Sequence, residues 1–362
     1  MRRVVVVVLG IALLLAATRA QAFCPCYSVT AQPNSNNCGV EAVPGTNPSV
    51  AAWQPIFTLV AGGPAAWGSA GPAVGAIGQG CGKPEAPHDV PAVFPCELLR
   101  AIAMQETGWR QFCVPDEPAN KVGPPERTII AVDCGYGVGQ VTSGMHTGET
   151  PAFDRARVAG DATYNLATGT QILAGKWHAT NCVGDNQPAI VEDWYVATWA
   201  YNGLAFSNNP NNPNYDANRP VCDPSAGCAG RPYQERIWGW MEHPPTPAHW
   251  TPLAPAYPNR GDIGSSGVPP DLPEPACAGP TDCVNTRSVH TTACIPSATP
   301  DAGTPAADGA MAPPDDGGSP PPGAPGAGCS CRFGGDGAQP PAGALLGLLL
   351  VFGCARRRAR LP

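Results

Sequence analysis

PCELLRAIAMQETGWRQF, residues 95–112, decides how this chain reads, because it sets one carboxylate on the apolar face near the end of a short amphipathic helix. Pro95 suits the first helical turn, Glu97 complements the dipole there, and Gly108 suits the left-handed residue that closes a helix. Leu99, Ile102, Ala103 and Glu106 follow the i, i+3, i+4, i+7 spacing, so Glu106 shares its stripe with residues bound for the core. Burial disfavours the carboxylate anion, and so does the partial negative charge at a helix C-terminus. A carboxyl so placed is expected to keep its proton near neutral pH, as a general acid must. The competing reading is a solvated surface Glu.

Three further segments bear on that choice. In GYGVGQVT, residues 135–142, Gly135, Gly137 and Gly139 remove side chains so that backbone can approach a bulky ligand, while Gln140 offers an uncharged donor and acceptor. A phosphate loop would need Lys-Ser/Thr after the glycines, and a dinucleotide fingerprint a strand before and an acidic partner after; neither is present. A plain turn is the alternative. In EDWYVATWAYNG, residues 192–203, Trp194, Val196, Ala197, Trp199 and Ala200 predict a buried helix that ends by delivering Tyr201 and Asn202. A core tyrosine with a satisfied hydroxyl is equally compatible with that pattern. Between the two lies YNLATGTQILAGKW, residues 164–177, with a glycine in mid-segment.

Taken in order, these segments resemble the motif set of the lysozyme-like soluble lytic transglycosylases over residues 94–250. QETGW at 105–109 is similar to that family's QES-G-aromatic segment, GYGVGQVT to its Gly-rich GLMQ-type segment, and YNG at 201–203 to its YN-G segment. YNLATGTQILAGKW resembles the family helix that begins with Asn and carries a mid-helix Gly. The resemblance implies a mainly α, lysozyme-like domain that cleaves the β-1,4 bond between N-acetylmuramic acid and N-acetylglucosamine in peptidoglycan. Glu106 would protonate the glycosidic oxygen, then take the proton of the muramic C6 hydroxyl as it closes onto C1, giving a 1,6-anhydro sugar. Gln140, Tyr201 and Asn202, with Gly137 and Tyr136 of the Gly-rich segment, would line the sugar site, and no cofactor is implied. Thr107 stands where Ser is usual, Tyr136 where a small residue is, and Gly139 where Met is common, so the subsites are expected to differ.

Most glycoside hydrolases use two carboxylates. Asp133, Glu149 and Asp154 are the candidates here, and Asp133, directly before the Gly-rich segment, makes a hydrolytic muramidase the alternative. Two non-catalytic readings stand beside it: a wall-binding surface protein on the same fold, and a disulfide-stapled adhesin.

With 45 Pro and 43 Gly among 362 residues and only 14% charged, much of the chain cannot be regular structure, so one compact domain with tails is expected. The net charge of −7 argues against nucleic acid or an anionic membrane surface as partner. Residues 1–22, MRRVVVVVLGIALLLAATRAQA, have the basic start, apolar run and Ala20-Gln21-Ala22 site of a secretory signal peptide; an uncleaved anchor is the alternative. Export makes the sixteen cysteines disulfide partners. Cys113 and Cys134 bracket a Pro-rich loop and are expected to pair. No metal site is expected, because Cys24-Pro-Cys26 and Cys329-Ser-Cys331 are C-x-C pairs and no HExxH follows; nor does a thiol-enzyme signature surround Cys134 or His146.

Residues 23–93 read as a Cys/Gly/Pro-rich region, stapled through Cys38 and Cys81, with one stretch at 49–67 apolar enough to form a helix or to pack onto the core; an elaboration of the catalytic domain and a small wall-binding module are the two readings of its role. Residues 251–327 read as a Pro-rich linker with a small stapled loop at 277–294 and a spacer without hydrophobic periodicity. In residues 328–362, GCSC precedes an apolar segment and ARRRAR, which resembles the C-terminal sorting tags of myxobacterial surface proteins. A simple membrane anchor is the alternative. The partners expected are therefore peptidoglycan glycan strands and a sorting machinery, with the protein exported and tethered at the cell envelope or surface.

Overall fold

A computed structural model describes residues 37–294, apart from 75–76, 79–80, 84–86, 89–90, 92, 114–125, 132, 229 and 266. The signal peptide, the 297–327 spacer and the C-terminal tag read from the sequence lie outside the described residues. The described chain is mainly helical. Its helices are α1 (Val50–Ala61), α2 (Gly63–Trp67), α3 (Cys96–Thr107), α4 (Arg155–Gly160), α5 (Ala162–Ala179), α6 (Tyr195–Tyr201), α7 (Tyr233–Glu242) and α8 (Arg260–Ile263). The strands are short antiparallel pairs: β1 (Ile77–Gly78) with β2 (Pro87–His88), β3 (Phe112–Cys113) with β4 (Arg127–Thr128), and β5 (Cys277–Gly279) with β6 (Asp282–Thr286). No helix among the described residues is long and apolar enough to cross a membrane.

Capping explains where the helices begin and end. Ser49 accepts from the Ala52 N–H at the start of α1, Asp154 caps α4, and Asp161 caps α5. Pro95 precedes α3, and Gly108 closes it in the left-handed conformation, φ 63° and ψ 40°.

α3 is buried on more than the one expected stripe. Leu98, Leu99, Ala101, Ile102, Ala103 and Met104 are all core residues, and so are the polar Glu97, Gln105 and Thr107. A helix enclosed all round must satisfy such groups internally. Glu97 does more than complement the dipole: it accepts from the Thr292 hydroxyl at 2.7 Å and the Ala293 N–H at 2.9 Å. Gln105 accepts from the Trp240 indole at 3.1 Å, and the Thr107 hydroxyl accepts from the Arg110 N–H at 3.1 Å. α1 and α7 pack on α3, and α5 packs on α6. Trp109, directly after α3, joins an aromatic cluster with Trp53, Phe57 and Trp250.

The apolar stretch at 49–67, expected to form a helix or to pack onto the core, does both: it forms α1 and α2, whose Trp53, Phe57, Val60 and Trp67 enter the main core. Residues 251–294, read as linker and loop, contribute Tyr257, Ile263, Leu272 and Cys277 to the same core. Their prolines break periodicity, but a few large apolar residues between them suffice to pack.

Five disulfides lie wholly among the described residues, and they tie these flanks inward. Cys134 is bonded to Cys38, not to Cys113; Cys113 is disulfide-bonded, but not to Cys134. The backbone explains this correction, because Gly39 N–H donates to Met145 and Thr147 N–H to Asn37, which carries Cys38 to the segment following the Gly-rich loop. Cys81–Cys182 and Cys96–Cys294 likewise join distant segments, so neither residues 23–93 nor residues 277–294 are stapled only to themselves. Cys222–Cys228 and Cys277–Cys283 close short loops.

Candidate active site

Glu106 stands in the last turn of α3 and is only partly shielded as a residue, but its carboxyl is desolvated by what surrounds it. Burial pushes it up to about 7, opposed by a hydrogen bond from the Tyr233 hydroxyl and the positive charge of Arg236, and reinforced by the negative charge of Asp133. The Tyr233 O–H donates to Glu106 Oε1. Tyr233 opens α7, and Arg236 one turn on lies over its ring at 5.7 Å. A carboxyl of this kind carries a proton for part of the time at neutral pH and releases it to an acceptor of rising basicity.

The second wall comes from α5, α6 and the Gly-rich loop. Tyr201, at the end of α6, donates its hydroxyl to the Gly139 carbonyl at 2.6 Å. Asn165, fully buried on α5, accepts from the Gly139 N–H at 2.8 Å and donates to the Tyr136 and Val158 carbonyls. A Cβ at Gly169 would fall 2.8 Å from the Tyr201 oxygen, which is why α5 carries a glycine in mid-helix. Leu99, Ile102 and Ala103 of α3 face Gly139, Leu166 and Tyr201 across a narrow crevice of about 250 Å³ including its mouth. Glu106 follows Ala103 by three residues on the same helix but is not among the residues lining this crevice. A wider cleft of about 840 Å³, likewise including its mouth, lies between Asn211, Arg260, Ser265 and Thr281 and does not include Glu106 either.

The glycines of the loop make room for the protein itself. A Cβ at Gly135 would lie 2.7 Å from the Gln140 side chain, and one at Gly137, where φ is 61°, would lie 2.1 Å from that of Gln111. Gln111 is completely buried and clamps the loop: it accepts from the Val138 N–H and donates to the Val158 and Ala159 carbonyls. Gln140 is half-buried, with φ at 45°, and donates to the Gly137 carbonyl at 2.9 Å.

The residues read from the sequence therefore separate. Tyr201, Gly139 and Asn165 come together, and Tyr201 feels the charge of Glu106. Tyr136 belongs to a second core cluster and is wholly buried, its hydroxyl donating to the Val40 carbonyl, and Gly137 is buried against Gln111. Asn202 is exposed at the end of α6, accepting from the Asn208 amide. Asp133 is exposed, and its charge is felt at Glu106.

Tyr233, Arg236, Asn165 and Gln111 were not foreseen as site residues. Tyr233, Ile237, Trp240 and Met241 follow i, i+4, i+7, i+8, a signal that could have put Tyr233 on a core face. Nothing local names Glu106 as its partner, 127 residues away.

Compared with known proteins, the chain matches no family model, no curated protein and no solved structure.

Proposed function

We propose that this chain is an exported peptidoglycan lytic transglycosylase of lysozyme-like fold, in which Glu106 acts as acid and then as base. The observation that carries the reading is the desolvated Glu106 carboxyl, held by Tyr233 at the end of a buried helix and pushed up to about 7. A group so poised protonates the glycosidic oxygen as the bond breaks. Its carboxylate then takes the C6 hydroxyl proton of the muramic residue, whose oxygen closes onto C1 to give the 1,6-anhydro product. Tyr201 and Asn165 support the step by fixing the Gly139 peptide beside the α3 stripe. Gln140 and Asn202, both reachable by solvent, are the polar groups assigned to the sugar.

Disulfides that join distant segments support export to an oxidising compartment. Tethering at the envelope through the C-terminal tag, and its sorting machinery, rest on the sequence resemblance. A hydrolytic muramidase is the second reading, favoured by the charge that Asp133 exerts on Glu106.

Mass spectrometry of products released from purified peptidoglycan tests both, with Glu106→Gln run beside the parent protein. Products one water lighter than ordinary muropeptides, absent with the variant, are expected. Reducing-end products would select the muramidase, and no Glu106-dependent release would leave a wall-binding protein.

A further inference from the structure

Far from Glu106 in sequence, the segment joining α5 to α6 gathers three carboxylates. Asp185, Asp193 and Glu274 each place an oxygen within 4.8 Å of the others. Asp185 and Glu274 are exposed at the rim, whereas Asp193, at 2% exposure, forms the floor. One Asp193 oxygen, Oδ2, accepts from the Gln187 N–H at 2.6 Å. The other, Oδ1, is buried without a hydrogen-bond donor. It points toward the rim carboxylates: a Cβ on Gly184 would lie 2.7 Å from Asp193 Oδ1 and 2.1 Å from Glu274 Oε2, so both oxygens flank one small space. A buried carboxylate oxygen that meets only other acceptors is costly unless a cation or a proton sits between them.

We propose that Asp185, Asp193 and Glu274 form a binding site for a hard divalent cation of the calcium class. All three donors are carboxylate oxygens, which suit Ca²⁺ and not a thiolate- or imidazole-seeking metal. A Ca²⁺ ion with ligands at about 2.3–2.6 Å spans oxygens up to about 5 Å apart, so three oxygens that all lie within 4.8 Å of one another are within its reach. The two exposed carboxylates leave the outer face open to water, which completes the coordination. By contrast, the grouping of Cys96, Glu97 and Cys294 has its donors already engaged, in a disulfide and in hydrogen bonds to Thr292 and Ala293.

The ion would reinforce a junction that the backbone already makes. Gly184 N–H donates to Leu272 and Leu272 N–H to Cys182, so residues 182–193 and 271–274 lie side by side. Asp193 immediately precedes Trp194 and α6, the helix that ends in Tyr201.

The test uses the full chain stripped with EDTA, with Ca²⁺ as probe and Tb³⁺ as its luminescent stand-in, excited through Trp194. Saturable Tb³⁺ emission is expected, displaced by Ca²⁺ with half-effect between about 0.1 and 1 mM. Tm should rise by about 3 to 5 °C at tenfold excess of Ca²⁺ over its Kd. The double variant Asp185→Asn/Glu274→Gln changes only exposed rim residues, so its fold is expected to survive, and it should lose at least tenfold in Ca²⁺ affinity. Asp193→Asn should abolish binding. A folded parent protein whose Tm and Tb³⁺ emission ignore Ca²⁺ up to 10 mM, with Asp193 and its neighbours sharing a proton instead, would overturn the proposal. So would unchanged binding in the double variant.

Discussion

Glu106 and Glu235 stand on helices packed against one another, α3 and α7, and both carboxyls are taken out of bulk water. Glu235 is 1% exposed and gripped by the Arg219 guanidinium through two nitrogens, while the same guanidinium donates to the Pro210 and Asp216 carbonyls. Burial raises the Glu235 carboxyl against the hydrogen bond and charge of Arg219, and the hydrogen bond and charge of Glu235 raise Arg219 against burial, so each side chain meets its counter-ion. That pair pins residues 210–219 to α7. Glu106 is raised by burial too, to about 7, but the group donating to it is a phenol, with Arg236 felt as a charge. Matched charge serves architecture, whereas a carboxyl left near neutrality is the kind that carries chemistry.

The comparison makes the two glutamates fail differently when altered. Glu106→Gln should lose about 10³-fold in release of muropeptides while staying folded, the size expected for a general acid. A variant retaining more than a tenth of the activity would break the assignment. Arg219→Met should instead cost about 3 to 5 kcal/mol in stability by leaving Glu235 buried without its partner. Chemical denaturation measures this, and a loss below 1 kcal/mol would erase the distinction between the two sites.

The same Glu106→Gln variant sharpens the contrast through its pH dependence. A carboxyl whose folded value is raised to about 7 from 4.5 favours the folded state fully below pH 4.5. That contribution disappears as pH rises through 7. Above pH 8 the glutamine variant should therefore be more stable than its parent, by about 2 kcal/mol after allowance for partial exposure, and the two should converge below pH 5. Denaturation midpoints at pH 5 and pH 8.5 check the sign. The smallest effect is expected for Tyr233→Phe. Its hydroxyl lowers the Glu106 value, so removing it should move the alkaline limb of activity upward by about one pH unit. A downward shift would show that the hydroxyl does not stabilise the carboxylate.

The helix at the heart of the site was legible at close range. Its stop at Gly108, the placement of Glu106 in its last turn and its stripe of Leu99, Ile102 and Ala103 all follow from spacing and capping within a dozen residues. So does the helix that delivers Tyr201. The glycines of residues 135–139 were legible as backbone needing room, but not as room for Gln140 folded back on the loop or for Gln111 and Asn165, which arrive from elsewhere. Resemblance alone assigns Tyr136 to the sugar site, and its burial with the hydroxyl on the Val40 carbonyl places it in the core instead.

What the sequence determined by itself is thus local: where helices start and stop, which faces are apolar, and that one carboxyl lies where charge is unwelcome. Tertiary structure alone decided the pairings: Cys38 with Cys134, Cys96 with Cys294 across 198 residues, Tyr233 with Glu106, and Asp193 with Asp185 and Glu274. The physical reason lies in how weakly chain length discriminates. Doubling a loop costs only about 0.6 kcal/mol, so among sixteen cysteines and many carboxylates no separation along the chain selects a partner. Selection falls to the packing of α1 and α7 on α3 and of α5 on α1 and α6, which brings together groups that carry no local record of one another.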